Sequence, residues 1–129
     1  MLTKEERVET ARKMRAEGHT CAQCVIEAFP ELTGDDPVLS VAAEGFGSGV
    51  GALQLMCGAL SGAVMTMSLV PHQSRPKLYG AIRGVCRRFE ELEGSMMCGE
   101  LKKPGRKPCV ELIADTVGMV HESLYPDPV

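Results

Sequence analysis

Residues 57–69 read CGALSGAVMTMSL, and their spacing predicts an α-helix with one face of small side chains. The members of this face are Gly58, Ala59, Gly62, Ala63 and Thr66. Small side chains allow a second helix to approach closely. We therefore expect this central helix to pack tightly against a neighbouring helix.

Helix start signals occur repeatedly in the residues that precede the central helix. Capping boxes at Thr3 and Thr20 start two helices, which end near Glu17 and before Pro30. A third, short helix is predicted after Asp36-Pro37, because Asp caps a helix and Pro suits its first position.

Two longer helices are predicted after the central one. The first, from Ser74 to Gly94, presents one apolar face, and the second runs from near Pro108 to Pro126. A short turn and a basic loop connect them, and strand-like alternation is absent from the sequence. These patterns predict an all-α, compact bundle of about five to six helices, in a single domain that covers residues 1–129.

Composition argues against several classes of function. The chain has 129 residues, a net charge of -3 and 44% hydrophobic residues, which is typical of one globular domain. Its Lys and Arg residues are spread along the chain, so we expect no nucleic-acid partner. Glycines and polar residues break the most apolar segment, residues 52–70, so we expect no membrane span. The charged N-terminus, which has no apolar run behind it, favours a cytoplasmic location.

A glycine-rich run, GFGSGVG, occupies residues 45–51. It lacks the Gly-Lys-Ser/Thr ending of a phosphate-binding loop, and no strand leads into it, so we do not expect nucleotide binding. Such a density of glycine predicts a turn in which the backbone adopts positive φ or approaches another group closely. Ser61 lacks the context of a nucleophile elbow, so the sequence offers no hydrolase site.

The six cysteines are the one compositional anomaly. In a protein without an export signal we expect them to be reduced thiols, metal ligands or redox partners, not structural disulfides. Four of them lie at the predicted start of a helix: Cys21, Cys57, Cys98 and Cys109. Free backbone N–H groups and the helix dipole favour a thiolate there, so we expect lowered pKa values and reactive or metal-binding sulfurs.

The other two cysteines allow a plainer interpretation. Cys24 completes a CAQC motif at residues 21–24, whose two thiols share a helix face and could bind one metal or act as a redox pair. The alternative is that Cys24 and Cys86 are small core residues, since free cysteine is among the most buried residue types. Burial would raise the pKa of Cys86 and make it inert.

The spacing of these motifs resembles that of a known family. The relevant stretches are CAQ at 21–23, GFG at 45–47, CGALSGA at 57–63, GSMMCGEL at 94–101 and Cys109. Together they cover nearly the whole chain and are similar to the C_GCAxxG_C_C family, which is described as redox-active. The resemblance implies an α-helical domain with redox or metal chemistry at four shared cysteines: Cys21, Cys57, Cys98 and Cys109. Cys24 and Cys86 depart from the shared pattern.

Several cofactors and partners remain open at this point. The resemblance implies an iron–sulfur cluster as one occupant, because a similar domain occurs in split-Soret cytochromes, and zinc is the alternative. This chain lacks the CxxCH motif that attaches haem. We expect Gly58 and Gly62 to let a neighbouring helix, and any cofactor, approach the cysteines. The expected partner is a redox protein, and the basic loop that contains Lys102 could dock an acidic one.

Three functions follow from these alternatives. The first is a redox protein, an oxidoreductase or electron-transfer component, that carries a cluster or cycles between thiols and disulfides. The second is a structural zinc module. The third is a helical assembly domain with incidental thiols, in which the Gly62 stripe packs between subunits of a homo-oligomer. Within the first, we expect Cys57 to be the central reactive or ligating residue.

Overall fold

The computed structural model describes residues 1–34 and 36–126, and α-helices dominate this part of the chain. In chain order its helices are α1 (Lys4–Ala16), α2 (Cys21–Glu27), α3 (Pro30–Thr33), α4 (Val38–Ala43), α5 (Gly58–Ser68), α6 (Arg75–Glu93), α7 (Cys98–Leu101) and α8 (Cys109–Leu124). The described residues contain no β-strand, which confirms the all-α prediction. None of these helices combines the length and apolar character needed to cross a bilayer.

All six predicted helices are present, and two one-turn α-helices and a one-turn 3-10 helix (Glu44–Phe46) add to them. The helix that begins with Cys21 ends at Glu27, and Pro30 then starts α3, because proline suits the first position of a helix. The segment predicted as a short turn forms α7. Residue 35 and residues 127–129 of the predicted domain lie outside the described residues.

Local capping interactions set the first two helix starts. Thr3 and Glu6 form a reciprocal capping box at α1, and Thr20 and Gln23 form the same arrangement at α2. Each box satisfies two backbone N–H groups that the helix itself leaves without partners. The start of α4 differs from the prediction, because Pro37 is its N-cap and not its first residue, and the helix has no side-chain cap at that position. The side chain of Asp36 accepts a hydrogen bond from the N–H of Val38 at 2.9 Å.

The closest helix contact joins α5 to α2. A Cβ atom added at Gly62 would lie 2.6 Å from the carbonyl oxygen of Ala22, and one added at Gly58 would lie 3.2 Å from the Cβ atom of Cys21. Real side chains do not tolerate the first of these distances, so glycine is needed at position 62. The predicted small-residue stripe therefore packs against a helix of the same chain, and this contact brings Cys21 beside the start of α5.

A buried arginine connects three parts of the bundle. Arg7 of α1 has no exposed surface, and its Nη1 donates to the carbonyl oxygen of Ala28 at 2.9 Å and to Glu31 at 2.8 Å. Its Nε donates to Nδ1 of His121 at 3.0 Å, and its guanidinium lies 4.6 Å from the centre of the Phe29 ring. These contacts hold α2 and α8 against α1, which positions the helices that carry Cys21 and Cys109.

Candidate four-cysteine site

Four cysteines from separate parts of the chain line a single cavity. They are Cys21, Cys57, Cys98 and Cys109. The cavity has a volume of about 10 Å³, which is about the space that one water molecule requires. The remaining lining residues are Ser48, Gly58, Leu101, Lys102 and Leu112. The fold thus brings together the four cysteines that the sequence singled out, although it separates them from Gly62, which packs against Ala22.

Each of these cysteines lies at the beginning of a helix. Cys21, Cys98 and Cys109 are the first residues of α2, α7 and α8, and Cys57 immediately precedes α5. Backbone N–H groups at a helix start have no partner within the helix. The predicted positions of the four cysteines are therefore confirmed, and all four helix starts border the cavity.

Backbone hydrogen bonds align the segments that carry Cys57 and Cys98. The N–H of Cys57 donates to the carbonyl of Met96 at 2.8 Å, and the N–H of Cys98 donates to the carbonyl of Leu55 at 2.6 Å. Met56 and Met97 form an isolated antiparallel bridge between the two segments. The cavity wall on this side is consequently held by main-chain contacts, not by side chains alone.

The glycine-rich run forms a left-handed turn against the same wall. Residues 48–52 all have positive φ, including Val50 at 64°. A Cβ atom at Gly49 would lie 2.5 Å from the backbone nitrogen of Leu55 and 2.8 Å from the Cβ atom of Cys98. Both predicted reasons for glycine, positive φ and close backbone approach, are therefore confirmed. Positive φ at a β-branched residue such as Val50 stores backbone strain beside the thiols.

Cys21 and Cys109 differ in acidity because their side chains interact. The contact with Cys21 lowers the pKa of Cys109, and the positive charges of Lys102 and Arg15 act in the same direction. The same contact, together with burial, raises the pKa of Cys21. Cys109 is also only half-buried, whereas Cys21 is buried. Of these two thiols, Cys109 is therefore better placed to ionise.

Cys57 does not have the acidity expected from its helix-start position. Burial raises its pKa, although the backbone N–H groups of Ala59 and Leu60 act in the opposite direction. Only 5% of Cys57 is exposed. The free energy needed to remove its thiolate from water therefore exceeds the stabilisation that the N–H groups at the helix start provide. The expectation of lowered pKa values is thus wrong for Cys57 and Cys21.

Cys24 and Cys86 do not line the cavity: Cys24 belongs to the buried core, and Cys86 is partly buried against it. Cys24 is fully buried and its Sγ donates to the carbonyl of His19 at 3.8 Å; burial raises its pKa to about 11. Cys86 packs against the core from α6, and burial raises its pKa as well. The interpretation of both as core residues agrees with these positions. All six cysteines are free thiols.

Two polar residues at the cavity were not identified from the sequence as part of the site. Lys102 Nζ lies 3.1 Å from Ser48 Oγ, and both residues line the cavity. In the sequence Lys102 belongs to a general basic loop and Ser48 to a glycine-rich run. No local signal places either of them beside a cysteine, since the contact joins segments that are distant along the chain.

A larger cleft of about 410 Å³ adjoins the cavity and shares Leu101 and Leu112 with it. A buried carboxyl group, Glu93, lies in its wall and contacts Lys107 at 2.8 Å. Lys107 also lies 2.8 Å from Asp115 of α8. Burial and the neighbouring Asp115 raise the pKa of Glu93. This cluster attaches the basic loop to α6 and α8.

The cavity cysteines suit a soft metal by donor type. Zinc and iron–sulfur clusters are commonly held by four thiolates. In residues 1–34 and 36–126, however, no three His, Cys, Asp or Glu side chains are placed as ligands of one metal ion. Binding a metal here would require the thiols to move together and to lose their protons, and burial of Cys57 opposes proton loss until a cation is present.

Comparison with known proteins agrees with this arrangement of cysteines. The family model described as "Putative redox-active protein (C_GCAxxG_C_C)" matches residues 19–123. A protein from Archaeoglobus fulgidus, described as "Uncharacterized protein", is 28% identical over 100 residues, and the match covers 62% of this chain and 66% of that relative. No solved structure matches the chain. Because the family match includes most of the chain and all four cavity cysteines, the chain belongs to the C_GCAxxG_C_C family.

Proposed function

We propose that this protein transfers electrons by thiol–disulfide exchange at the four-cysteine cavity. The observation that carries the proposal is the contact between two unlike thiols: Cys109, with a lowered pKa, and Cys21, with a raised one. Disulfide exchange needs a thiolate that attacks and a second thiol that resolves the mixed disulfide. The partly exposed Cys109 suits the first role, and the buried Cys21 suits the second.

The exchange is balanced between this protein and a partner disulfide. The Cys109 thiolate attacks one sulfur of that disulfide, the partner's S–S bond breaks, and a mixed disulfide forms as one partner thiolate leaves. Cys21 then loses its proton to solvent, and its sulfur attacks the sulfur of Cys109, which releases the second partner thiolate. The partner gains two electrons, and Cys21 and Cys109 end as a disulfide.

Single cysteine substitutions test this assignment in reduced, metal-free protein. A peptide disulfide serves as the oxidant, and mass spectrometry identifies the products. We expect wild type to form a Cys21–Cys109 disulfide, Cys21→Ser to accumulate a mixed disulfide on Cys109, and Cys109→Ser to react slowly. Cys86→Ser is the matched control and should behave as wild type. A disulfide formed mainly between other cysteines would contradict the proposal.

A second candidate, a soft-metal centre, is supported by the convergence of all four sulfurs on one cavity. Cys21, Cys57, Cys98 and Cys109 would be its ligands, and Gly58 would border it. A bound iron–sulfur cluster would supply one-electron transfer, and zinc would supply a structural cross-link. The residues of this chain would contribute the thiolates and the enclosure that excludes water.

Anaerobic purification distinguishes the two candidates, since an exposed cluster is lost in air. Iron, acid-labile sulfide and visible charge-transfer absorption in stoichiometric amounts would favour the cluster. Colourless protein with stoichiometric zinc would favour the structural role. Metal-free protein that forms the Cys21–Cys109 disulfide reversibly would favour thiol–disulfide exchange.

A further inference from the structure

Exposed apolar side chains cluster in the segments that wall the cysteine cavity. Val50, Leu53, Leu55 and Met97 form what we call the loop patch, and they are 36%, 68%, 45% and 42% exposed. Scattered exposed leucines are ordinary on protein surfaces, but several in one short loop usually mark an interaction site.

The loop patch lies directly beside the thiols. Met97 precedes Cys98, and the carbonyl of Leu55 accepts the N–H of Cys98 at 2.6 Å. Val50 follows Gly49, whose own position leaves no room for a Cβ atom next to Cys98. A molecule that covers the patch would therefore border the cavity wall formed by Cys98.

Main-chain hydrogen bonds hold the patch in one shape. The N–H of Leu55 donates to the carbonyl of Gly49 at 3.0 Å, and the N–H of Leu53 donates to the carbonyl of Val50 at 3.0 Å. The left-handed turn thus keeps apolar side chains in water at a cost in backbone strain. A preformed surface loses little conformational entropy when a partner binds.

One cation that has no carboxylate partner among the described residues, Lys102, borders the loop patch. The other three cations of residues 95–108 are engaged elsewhere: Lys103 pairs with Glu100, Lys107 pairs with Glu93 and Asp115, and Arg106 donates to the carbonyl of Glu93. Within the described residues Lys102 makes no ion pair, and its Nζ lies 3.1 Å from Ser48 Oγ, at the start of the left-handed turn. Charge complementarity therefore selects a partner surface that combines apolar side chains with carboxylates.

We propose that the loop patch and Lys102 form the docking surface for an acidic, apolar segment of the partner protein whose disulfide meets the cysteine cavity. This proposal rests on the proposed function, because the docked protein is the one whose disulfide would react at the cavity. The binding itself is measured separately from any redox step.

The binding test uses a fluorescently labelled synthetic peptide that alternates leucine and glutamate and contains no cysteine. Anisotropy at low ionic strength should show binding to wild type, and substitution of Leu53→Ser with Leu55→Ser should weaken binding by about tenfold, because few residues supply most of the affinity of an interface. Lys102→Gln should weaken peptide binding less than the double substitution does. Added salt should remove the difference in affinity between wild type and Lys102→Gln, because salt screens the charge of Lys102. Equal binding to wild type and to the double variant would overturn the proposal.

Three controls make the result specific. Tyr79→Ser removes another exposed apolar side chain, on α6, which contributes no residue to the cavity, and it should bind as wild type does. A leucine–lysine peptide of equal length should bind more weakly than the acidic peptide, and equal affinity would overturn the proposal. Sedimentation equilibrium tests self-association: a wild-type dimer that the double variant abolishes would assign the patch to a second copy of this chain and make the proposal wrong.

A redox assay then separates this proposal from the function on which it rests. Wild type and the double variant are reacted with a disulfide of the acidic peptide and with a small neutral disulfide. Slower reaction of the variant with the peptide alone supports docking. If wild type reduces neither disulfide, the proposed redox function is wrong, whereas the anisotropy result still decides whether the patch binds acidic segments.

Discussion

Cys109, the first residue of α8, and Cys21, the first residue of α2, line the same cavity, and their side chains interact. The two residues have similar positions on their helices, yet this interaction lowers the pKa of Cys109 and raises the pKa of Cys21. A thiol that donates a hydrogen bond stabilises its neighbour as a thiolate, which accounts for the opposite directions. The pair therefore contains one thiol suited to attack and one suited to resolve.

The first prediction concerns the order of thiol reactivity in reduced, metal-free protein. Cys109 should be alkylated fastest near neutral pH, because its lowered pKa gives it more thiolate there than the other thiols have. Cys21→Ala should slow this reaction, because loss of the interaction returns the pKa of Cys109 towards its ordinary value. At a pH below the pKa, a rise of one pKa unit lowers the thiolate fraction about tenfold. Competitive alkylation across pH, measured by mass spectrometry, provides the test. Faster labelling of Cys57 would contradict it.

The second prediction compares the same substitution at two helical glycines. Gly62→Ala places a Cβ atom 2.6 Å from a backbone oxygen that cannot move aside easily, so it should lower the free energy of unfolding by about 1–3 kcal/mol. Gly84→Ala meets nothing within 4 Å, and it should raise that free energy by about 0.5–1 kcal/mol through better helix propensity. Urea unfolding measures both. Similar effects of the two would disprove close packing of α5 on α2.

The third prediction uses two glycines of the left-handed turn. Gly49 and Gly51 both have positive φ, so alanine at either position should cost about 1–2 kcal/mol in backbone strain. Only Gly49→Ala also meets the backbone of Leu55 and the side chain of Cys98. It should therefore destabilise the protein more than Gly51→Ala does and change the alkylation rate of Cys98. An unchanged rate at Cys98 in folded Gly49→Ala would argue against this contact.

The fourth prediction concerns the buried guanidinium of Arg7. Arg7→Ala removes the hydrogen bonds to Ala28, Glu31 and His121 and leaves a cavity, so the free energy of unfolding should fall by about 3 kcal/mol or more. The matched control is Arg12→Ala, in the same helix, where an exposed ion pair with Glu111 is lost and little change is expected. Thermal and urea unfolding provide the measurement, and equal losses would show that burial of Arg7 contributes nothing.

The positions of the helices follow from the sequence because the signals that set them are local. The capping box of Thr20 and Gln23 involves residues three apart, and Pro30 starts α3 because its fixed φ suits the first position of a helix. The same local signals place Cys21 and Cys109 at helix starts. The spacing of the cysteine motifs also predicted the family, since that pattern lies in the order of residues along the chain.

The chemistry of the individual thiols was decided only by the tertiary structure. The helix start favours a thiolate at Cys57 and at Cys109 alike, but burial reverses this effect at Cys57, whereas the side chain of Cys21 and the positive charge of Lys102 reinforce it at Cys109. Burial and these interactions arise between segments that are far apart in sequence. Neither helical periodicity nor motif spacing can therefore predict them. A pKa depends on every charge and dipole near a group in space, and that neighbourhood exists only once the helices have packed.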